Sequence, residues 1–361
     1  MSRRPAVSSL DRVAERKQAH LDLCLREDVE AATKTTLFED VDLVHDALPD
    51  LSLDEIDTSV RWLGKRLRAP LVITGMTGGT RAAFRVNRDL ARVAEEAGIA
   101  FGVGSQRAMH SRPESEWTYR VREHAPKTIV LANIGIAQAR TLSLDTVKSL
   151  VDALSADALC VHLNVAQEIL QPEGDRSFTG GTEAFRRLVR GLDVPVVAKE
   201  TGCGISRKVA QRLRAAGVRN LDVSGAGGTS WVRIEALRAP GAARLGEIYR
   251  DWGIPTAASL LQTRDLGLEI VASGGIRTGL DVAKALALGA RVAGAALPVY
   301  QAYREHGIEG ARRFIDALVA ELKAAMLLTG SRKLRDLARA ETVIGTRLAR
   351  WQPRRGRGVA S

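Results

Sequence analysis

Residues 158–168 read ALCVHLNVAQE, an apolar run that ends in polar side chains. The polar residues are His162, Asn164, Gln167 and Glu168. A buried strand needs none of them, because each polar group must find a partner or lower the stability of the fold. The stretch is therefore either a polar loop that satisfies its own hydrogen bonds or a strand end that faces a ligand.

Seven further apolar runs of similar length occur along the chain. Together with 158–163 they are 70–74, 99–103, 128–132, 194–199, 219–223, 269–273 and 291–295. The segments between them carry helical spacing: Val86, Leu90, Val93 and Ala97 lie on one helix face before Gly98 ends it. Alternating strands and helices predict a parallel sheet with right-handed crossovers. Eight such units over roughly 230 residues favour an α/β fold of the (β/α)8 TIM-barrel type.

An open, doubly wound sheet is the alternative arrangement of these units. It would place a G-x-G-x-x-G sequence after the first strand to bind a dinucleotide. The nearest candidates, 102–107 and 225–229, lack the third glycine at its position. The barrel is therefore the favoured fold.

The barrel is predicted over residues 70–340, with additions at both ends. Residues 1–69 are predicted to form an N-terminal extension that packs on the barrel and reaches toward its active face. Residues 224–268 form an unusually long gap between the sixth and seventh strands, which predicts an insertion acting as a lid or an oligomer contact. Residues 341–361 are basic and are predicted to form a flexible tail.

Composition and charge exclude several classes of protein. No apolar stretch is long enough to span a bilayer, and no apolar segment follows the basic residues 1–5, so neither a membrane protein nor a secretory signal is expected. Cys24, Cys160 and Cys203 are too scattered for a disulfide framework or a zinc site, which suits a reducing cytoplasm. The net charge of +11 suits nucleic acid or phosphorylated small molecules, but no aromatic residues are interleaved with the basic ones, so nucleic acid is not expected.

The ends of the predicted strands carry the candidate chemistry, because barrel enzymes place their active groups on the loops that follow the strands. Residues 274–277 and 294–296 follow the seventh and eighth strands, the common phosphate site of such barrels, and the alternative is a tight strand-to-helix turn. Lys199 ends an otherwise apolar strand, where an unpaired ammonium is unfavourable. It is predicted to form a Schiff base or to lie beside an electron-rich cofactor ring, and the alternative is a surface lysine whose ammonium reaches solvent.

A second group of basic residues lies in the predicted extension. Arg16, Lys17 and His20 share a helix-like segment on which Arg16 and His20 are one turn apart. By themselves they suit a solvated basic face. They acquire a role in binding only if the extension folds over the barrel mouth.

In combination these motifs resemble the type 2, FMN-dependent isopentenyl-diphosphate delta-isomerases, from Arg16 to about residue 330. The motifs are Arg16-Lys17-x-x-His20, Met76-Thr77-Gly78-Gly79, Gly104-Ser105-Gln106-Arg107, His162-x-Asn164-x-x-Gln167-Glu168, Lys199-Glu200-x-Gly202, Gly225-x-Gly227-Gly228-Thr229-Ser230 and Ser273-Gly274-Gly275-Ile276-Arg277. The family commonly has an acidic residue where this chain has Ala19.

The resemblance implies a barrel enzyme of isoprenoid biosynthesis that interconverts isopentenyl diphosphate and dimethylallyl diphosphate by a 1,3-allylic proton shift. It implies reduced FMN as the active cofactor, NADPH as the reductant, and Mg²⁺. It also implies a homo-oligomer, a tetramer or octamer, in the cytoplasm.

The resemblance assigns candidate site residues as well. His162 and Gln167 would be catalytic, and Glu168 would hold Mg²⁺. The substrate would be bound by Arg16, Lys17, His20, Ser105, Gln106, Arg107, Asn164 and Gln167. The cofactor would be bound by Gly75, Met76, Thr77, Gly78, Ser105, Asn133, Lys199, Ser224, Thr229, Gly274, Gly275, Arg277, Ala295 and Ala296.

FMN-dependent 2-hydroxy acid oxidases are the alternative function, because they share the barrel and a Gly-Gly-Ile-Arg loop. They place a histidine base followed by two glycines at the sixth strand end. Here that position reads Gly225-Ala226-Gly227-Gly228, with no titratable group to accept a proton. A non-catalytic phosphate-binding scaffold is a further alternative, which a flavin absorbance spectrum would exclude.

Overall fold

Eight parallel strands close into a barrel, as the alternation of the sequence predicts. The structure is a computed structural model that describes residues 9–353, with side chains from Arg16 onward. The barrel strands, here β1 to β8, are Leu71–Ile73, Ala100–Gly102, Val130–Gly135, Ala158–Leu163, Val196–Glu200, Asn220–Asp222, Glu269–Ser273 and Val292–Ala295. Each pairs in parallel with the next, and β8 pairs with β1 to close the barrel.

Helices surround the barrel and follow its strands. They are Ser9–Arg26, Arg81–Ala97, Arg107–Ser111, Ile136–Thr141, Leu144–Asp152, Val165–Glu168, Gly181–Gly191, Arg207–Ala215, Trp231–Arg238, Ala243–Tyr249, Thr256–Thr263, Gly279–Ala287, Leu297–Leu328, Leu334–Leu337 and Thr346–Ala349. Short 3-10 helices span Phe38–Asp40, Leu53–Glu55, Pro113–Tyr119, Arg122–His124 and Pro240–Ala242. The predicted stop at Gly98 is confirmed, since this residue adopts the left-handed conformation (φ +67°) that ends the helix Arg81–Ala97.

A hairpin of the extension closes the lower end of the barrel, where the strands begin. Its strands Val60–Trp62 and Lys65–Leu67 are antiparallel. Val60, Trp62 and Leu67 are buried against the first residues of the barrel strands, among them Ala158 and Val197. The interior of the barrel is therefore a packed apolar core at this end.

Other parts of the extension reach the upper end, where the strands finish. Val29 and Ala31 form backbone hydrogen bonds with Ser230 and Gly228, the loop that follows β6. Cys24 and Val29 pack against Ile234 of the insertion helix Trp231–Arg238. The helix Ser9–Arg26 is thereby held beside the barrel mouth.

The C-terminal region differs from the predicted flexible tail over residues 341–353. The strand Thr342–Ile344 pairs in antiparallel fashion with Val41–Leu43 of the extension, with Ile344 opposite Val41. Arg347 forms ion pairs with Glu39 and Asp40. These contacts were not foreseen because a three-residue strand in a charged segment leaves no periodic signal. Residues 354–361 lie outside the described part of the chain.

The long connection between β6 and β7 contains three of the helices, Trp231–Arg238, Ala243–Tyr249 and Thr256–Thr263. The first of these helices contributes side chains to the barrel mouth, as shown below. Within the described residues, no helix is both long enough and apolar enough to cross a membrane.

Candidate active site

A cavity of about 210 Å³ opens at the upper end of the barrel, where all eight strands finish. Most of the predicted site residues line it. From the extension these are Arg16, Lys17 and His20, and from the strand ends Gly75, Met76, Ser105, Arg107, Asn133, His162, Asn164, Gln167, Glu168, Lys199, Ser224, Thr229, Gly274, Gly275, Arg277, Ala295 and Ala296. The structure therefore brings two distant segments of sequence, the extension and the strand ends, to one place.

Three predicted residues do not line this cavity. Gln106 is fully buried, and its side chain binds backbone instead: Nε2 donates to Leu150 O at 2.7 Å and Oε1 accepts from Asn133 N at 3.0 Å. Thr77 is also buried, and Gly78 contributes its carbonyl oxygen to Lys17 Nζ. These residues support the strand ends. The structure contradicts the prediction that Gln106 binds the substrate, because both polar atoms of its side chain are bonded to backbone away from the cavity.

The loops after β6 and β7 form a cradle in which backbone packs on backbone. Gly274 and Gly275 have positive φ angles, +96° and +78°. A Cβ atom on Gly274 would lie 2.2 Å from Gly225 O, and one on Gly228 would lie 2.4 Å from Gly275 N, so side chains are excluded there. The helix Gly279–Ala287 begins directly after this loop, capped by Thr278. The N–H groups of Arg277, Thr278 and Gly279 already donate to Asp281 and Glu321, so the part of this turn that suits an anion is the glycine backbone of residues 274 and 275.

A neutral imidazole lies at the end of β4. Asn133 Nδ2 donates to Val103 O at 3.1 Å, which turns its Oδ1 toward His162 Nδ1 at 2.8 Å. His162 Nδ1 therefore carries the proton, and Nε2 is left as an acceptor. Burial, and then the charge of Lys199, lower the pKa of His162 to about 3. At neutral pH this side chain can accept a hydrogen bond but has no charge to offer.

An ion pair joins β5 to β6 at the cavity floor. Lys199 Nζ donates to Asp222 Oδ2 at 2.8 Å. Asp222 Oδ1 accepts from Ser273 Oγ at 2.6 Å. Lys199 was a candidate from the sequence, whereas Asp222 was missed. The signal was available, since an aspartate within the apolar run 219–223 is as unusual as a histidine within 158–163.

A buried carboxylate from the insertion organises the opposite wall. Glu235 Oε1 accepts from Gln167 Nε2 at 2.9 Å and from Gln171 Nε2 at 2.6 Å, and His20 Nε2 lies 2.9 Å from the same oxygen. Burial alone would raise the pKa of Glu235, but its bonds to His20 and Gln167 and the charge of Arg238 hold it at about 2. Glu235 was not foreseen because it sits in an ordinary helical pattern within the insertion.

Three cations crowd the rim of the cavity. Lys17 Nζ donates to Gly78 O at 2.7 Å and Ser105 O at 3.0 Å, and burial followed by the charges of Arg16 and neighbouring arginines lowers its pKa to about 7. Burial and Arg107 likewise lower the pKa of Arg16. Among the side chains described, those of residues 16–353, Arg107 has no carboxylate at ion-pair distance, whereas Arg16 has Glu173 at 3.5 Å. Mutual repulsion of this kind is relieved by a polyanion.

Glu168 lies next to these cations and is buried. Its Oε1 accepts from Asn164 Nδ2 at 2.8 Å, and its Oε2 accepts from Asp175 N at 2.8 Å. These bonds fix the carboxylate at the cavity wall. Among the described residues no three His, Cys, Asp or Glu side chains form a metal-ligating group, so any cation here would need oxygens from a ligand as well.

Comparison with known proteins defines the class first. The model of the FMN-dependent dehydrogenase family matches residues 10–176 and 162–344, and the chain belongs to that family. Solved structures of similar fold include a mandelate oxidase variant (20% identity, TM-score 0.62, 94% of this chain and 100% of that one). A lactate oxidase from Pediococcus acidilactici is another (16% identity, TM-score 0.67, 96% and 97%). At these identities the likeness concerns the fold alone.

The particular family follows from closer relatives. The chain is 45% identical to the isopentenyl-diphosphate delta-isomerase of Methanopyrus kandleri over 348 residues, 95% of each chain. It is 45% identical to that of Methanosarcina mazei (93% of each chain) and 43% identical to that of Pyrococcus furiosus (95% and 90%). The chain belongs to the isopentenyl-diphosphate delta-isomerase family and is an isomerase.

Proposed function

We propose that this enzyme interconverts isopentenyl diphosphate and dimethylallyl diphosphate, using reduced FMN and Mg²⁺. The reaction adds a proton at one end of an allylic unit and removes one at the other, with no net oxidation. The observation that carries the proposal is the convergence of two features on one cavity. One is a cation cluster, Arg16, Lys17 and Arg107, and the other is the separate glycine cradle formed by the loops after β6 and β7. One cavity thus offers two anion sites, which suits a diphosphate substrate beside a phosphate-bearing cofactor.

The cofactor fits the residues that the cavity presents. Gly274, Gly275, Arg277, Ala295 and Ala296 would hold the FMN phosphate, because all five line the cavity and, apart from Arg277, none carries a side chain larger than a methyl group. Asn133, Lys199 and Thr229 would line the ring. When bound, reduced FMN supplies a ring that can accept and return a proton.

The chain's own residues would bind and orient the substrate. Arg16, Lys17 and Arg107 would neutralise the diphosphate, and Glu168 would share Mg²⁺ with its phosphate oxygens, as a hard cation requires. His162 would accept a hydrogen bond through Nε2. Gln167, fixed by Glu235, would lie beside the reacting hydrocarbon. The extension would help to exclude water from the mouth.

An anaerobic assay of isopentenyl diphosphate with FMN, NADPH and Mg²⁺ tests the proposal. Formation of dimethylallyl diphosphate that depends on reduced flavin is the expected result. Full turnover with oxidised FMN and no reductant would contradict the role of the reduced ring. Oxidation of a 2-hydroxy acid is not expected, because the loop after β6 bears no titratable group.

Three expectations complete the proposal. NADPH would serve as the reductant, the protein would assemble as a tetramer or octamer, and it would work in the cytoplasm. Anaerobic flavin reduction, sedimentation analysis and cell fractionation would test these in turn.

A further inference from the structure

Asp222 is a buried carboxylate that the proposed mechanism does not use. It ends β6 and is only 3% exposed. Lys199 Nζ donates to its Oδ2 at 2.8 Å, while Ser273 Oγ at 2.6 Å and Ser224 N at 3.2 Å donate to its Oδ1. Both carboxylate oxygens are thus occupied, and the three partners come from the ends of β5, β6 and β7. Such a network fixes the carboxylate in one place.

Asp222 lies behind Lys199 as seen from the cavity. Lys199 lines both the main cavity and a small space in the barrel interior beneath it, whereas Asp222 lines only the small space, with Trp62 and Cys160. The two residues face each other in register across β5 and β6. A group bound in the cavity would therefore meet the ammonium first and the carboxylate only through it.

The ion pair has little access to solvent on either side. The Lys199 side chain is 10% exposed and that of Asp222 is 5% exposed. With so little exposure, the loss of one partner leaves the other as a largely uncompensated buried charge. An ammonium without its carboxylate would turn to the nearest other anion, and in the cavity that anion would be the cofactor.

We propose that Asp222 is a positioning residue that tethers Lys199 at the cavity floor and limits the positive charge the ammonium presents to the cofactor ring. The inference rests on the proposed function, since it requires FMN in this cavity. Its consequence concerns proton transfer. While Asp222 pairs with the Lys199 ammonium, the reduced ring would stay basic enough to take up a proton. An ammonium released from Asp222 would stabilise the anionic ring too strongly for that.

The variant Asp222→Asn tests this directly, because it keeps the size and an acceptor oxygen for Ser273 while removing the charge. The holoenzyme should still bind FMN, and its midpoint potential should shift to more positive values. That shift corresponds to reduced FMN gaining affinity over oxidised FMN by about tenfold, the effect of one uncompensated charge nearby. Isomerisation should become slower although the flavin is easier to reduce. A purely structural defect would not produce this opposition.

A double-variant cycle establishes whether Asp222 acts through the lysine. In the background Lys199→Met, adding Asp222→Asn should shift the potential by less than half as much as it does alone, because no ammonium remains to be released. An equal shift in both backgrounds, or no shift in Asp222→Asn, would overturn the inference. If Asp222→Asn alone does not fold, comparison of Lys199→Met with the double variant still decides, since a large difference between them would refute action through Lys199.

Asp157→Asn is the matched control at the other end of the barrel. Asp157 is likewise an ion-paired carboxylate, though with two cations, Lys65 at 2.7 Å and Arg122 at 2.7 Å, and it does not line the cavity. Its variant should lower stability and leave the potential unchanged. A wild-type protein that binds no FMN would refute the proposed function, whereas normal FMN binding and isomerisation with an unmoved potential in Asp222→Asn would refute this inference alone.

Discussion

At its lower end the barrel is closed by apolar side chains, whereas at its upper end the same strands present polar side chains to an open cavity. Along β4, Cys160 packs against the hairpin of residues 60–67 that closes the lower end. His162, two residues later on the same face, lines the cavity. Along β5, Val197 and Lys199 are related in the same way. Alternate residues of a strand share a face. Two successive inward-facing positions of one strand therefore differ in role, the first packing in the stabilising core and the second lining the cavity.

The charges at the two ends differ as well. At the lower end Asp157 is matched by Lys65 and Arg122. At the upper end, burial and then the charges of Arg16 and neighbouring arginines, Arg107 among them, lower the pKa of Lys17 to about 7. A protein tolerates such unbalanced charge where a ligand completes it, so the imbalance itself marks the functional end.

The largest expected effect is at the upper end, in the variants His162→Ala and Gln167→Ala. Each should lower kcat by about a hundredfold to ten-thousandfold, because the proposed function places each of these side chains against the reacting atoms. FMN should stay bound, as its absorbance spectrum would report. Gln262→Ala is the control for Gln167→Ala. Gln262 lies outside the cavity and accepts a hydrogen bond from Arg207 N at the start of the helix Arg207–Ala215, so its removal should leave turnover intact. Near-normal turnover in both site variants would show that the site is wrongly assigned.

The lower end should respond in the opposite way. Trp62→Ala should lower the free energy of unfolding by about 3–5 kcal/mol, because it removes a buried side chain from the hairpin that closes the lower end of the barrel. Denaturant unfolding would measure this, and kcat below the transition should change little. Trp62→Phe is the matched control. The Trp62 indole N–H has no hydrogen-bond partner among the residues that the structure describes, so removing it while keeping a ring should cost much less. A lower kcat for Trp62→Ala under conditions where the variant is fully folded would contradict the division of stability and catalysis between the two ends.

A smaller effect is expected at Glu168. The variant Glu168→Gln should raise the Mg²⁺ concentration for half-maximal activity by about tenfold, since a neutral amide is a weaker ligand for a hard cation. Activity titrated against Mg²⁺ measures it. Glu173→Gln, in the turn after the helix that Glu168 ends and paired with Arg16 and Arg238, is the control and should leave the Mg²⁺ response unchanged. An unchanged response in Glu168→Gln would remove its role as a ligand.

The sequence predicts the barrel and much of the site because both depend on local patterns. Eight apolar runs ending in polar or glycine-rich loops define the strands and the cavity together. The sequence misplaces Gln106, because the motif Gly104-Ser105-Gln106-Arg107 does not indicate which of its side chains face the cavity and which point into the protein. In the structure, Ser105 and Arg107 line the cavity while Gln106 points into the protein.

What the sequence does not reveal is pairing between distant segments. Glu235 meets His20 and Gln167 only because the insertion and the extension converge on the mouth. The strand Thr342–Ile344 exists only through Val41–Leu43. Neither partnership has a local signature, since both are decided by tertiary packing rather than by propensity.

The smallest expected effect is a pH dependence at Lys17. Its pKa of about 7 lies below the ordinary 10.5, so the protein without ligand binds fewer protons than the unfolded chain between these values, and its stability should rise with pH there. A bound diphosphate favours the protonated lysine, so substrate affinity should instead fall as pH rises above 7. KM should therefore increase with pH, by at most about tenfold per pH unit for one proton.

Above pH 7 the terminal phosphate, with a second pKa of about 6, is already ionised, so the substrate itself contributes little to this change. Lys17→Arg keeps the charge at every pH and should flatten the increase in KM, whereas Lys208→Arg, the same change at an exposed position on the helix Arg207–Ala215, should not. A KM for the wild type that does not vary between pH 7 and 9 would show that Lys17 stays charged without ligand. The contrast in charge balance between the two ends would then rest on Arg16 and Arg107 alone.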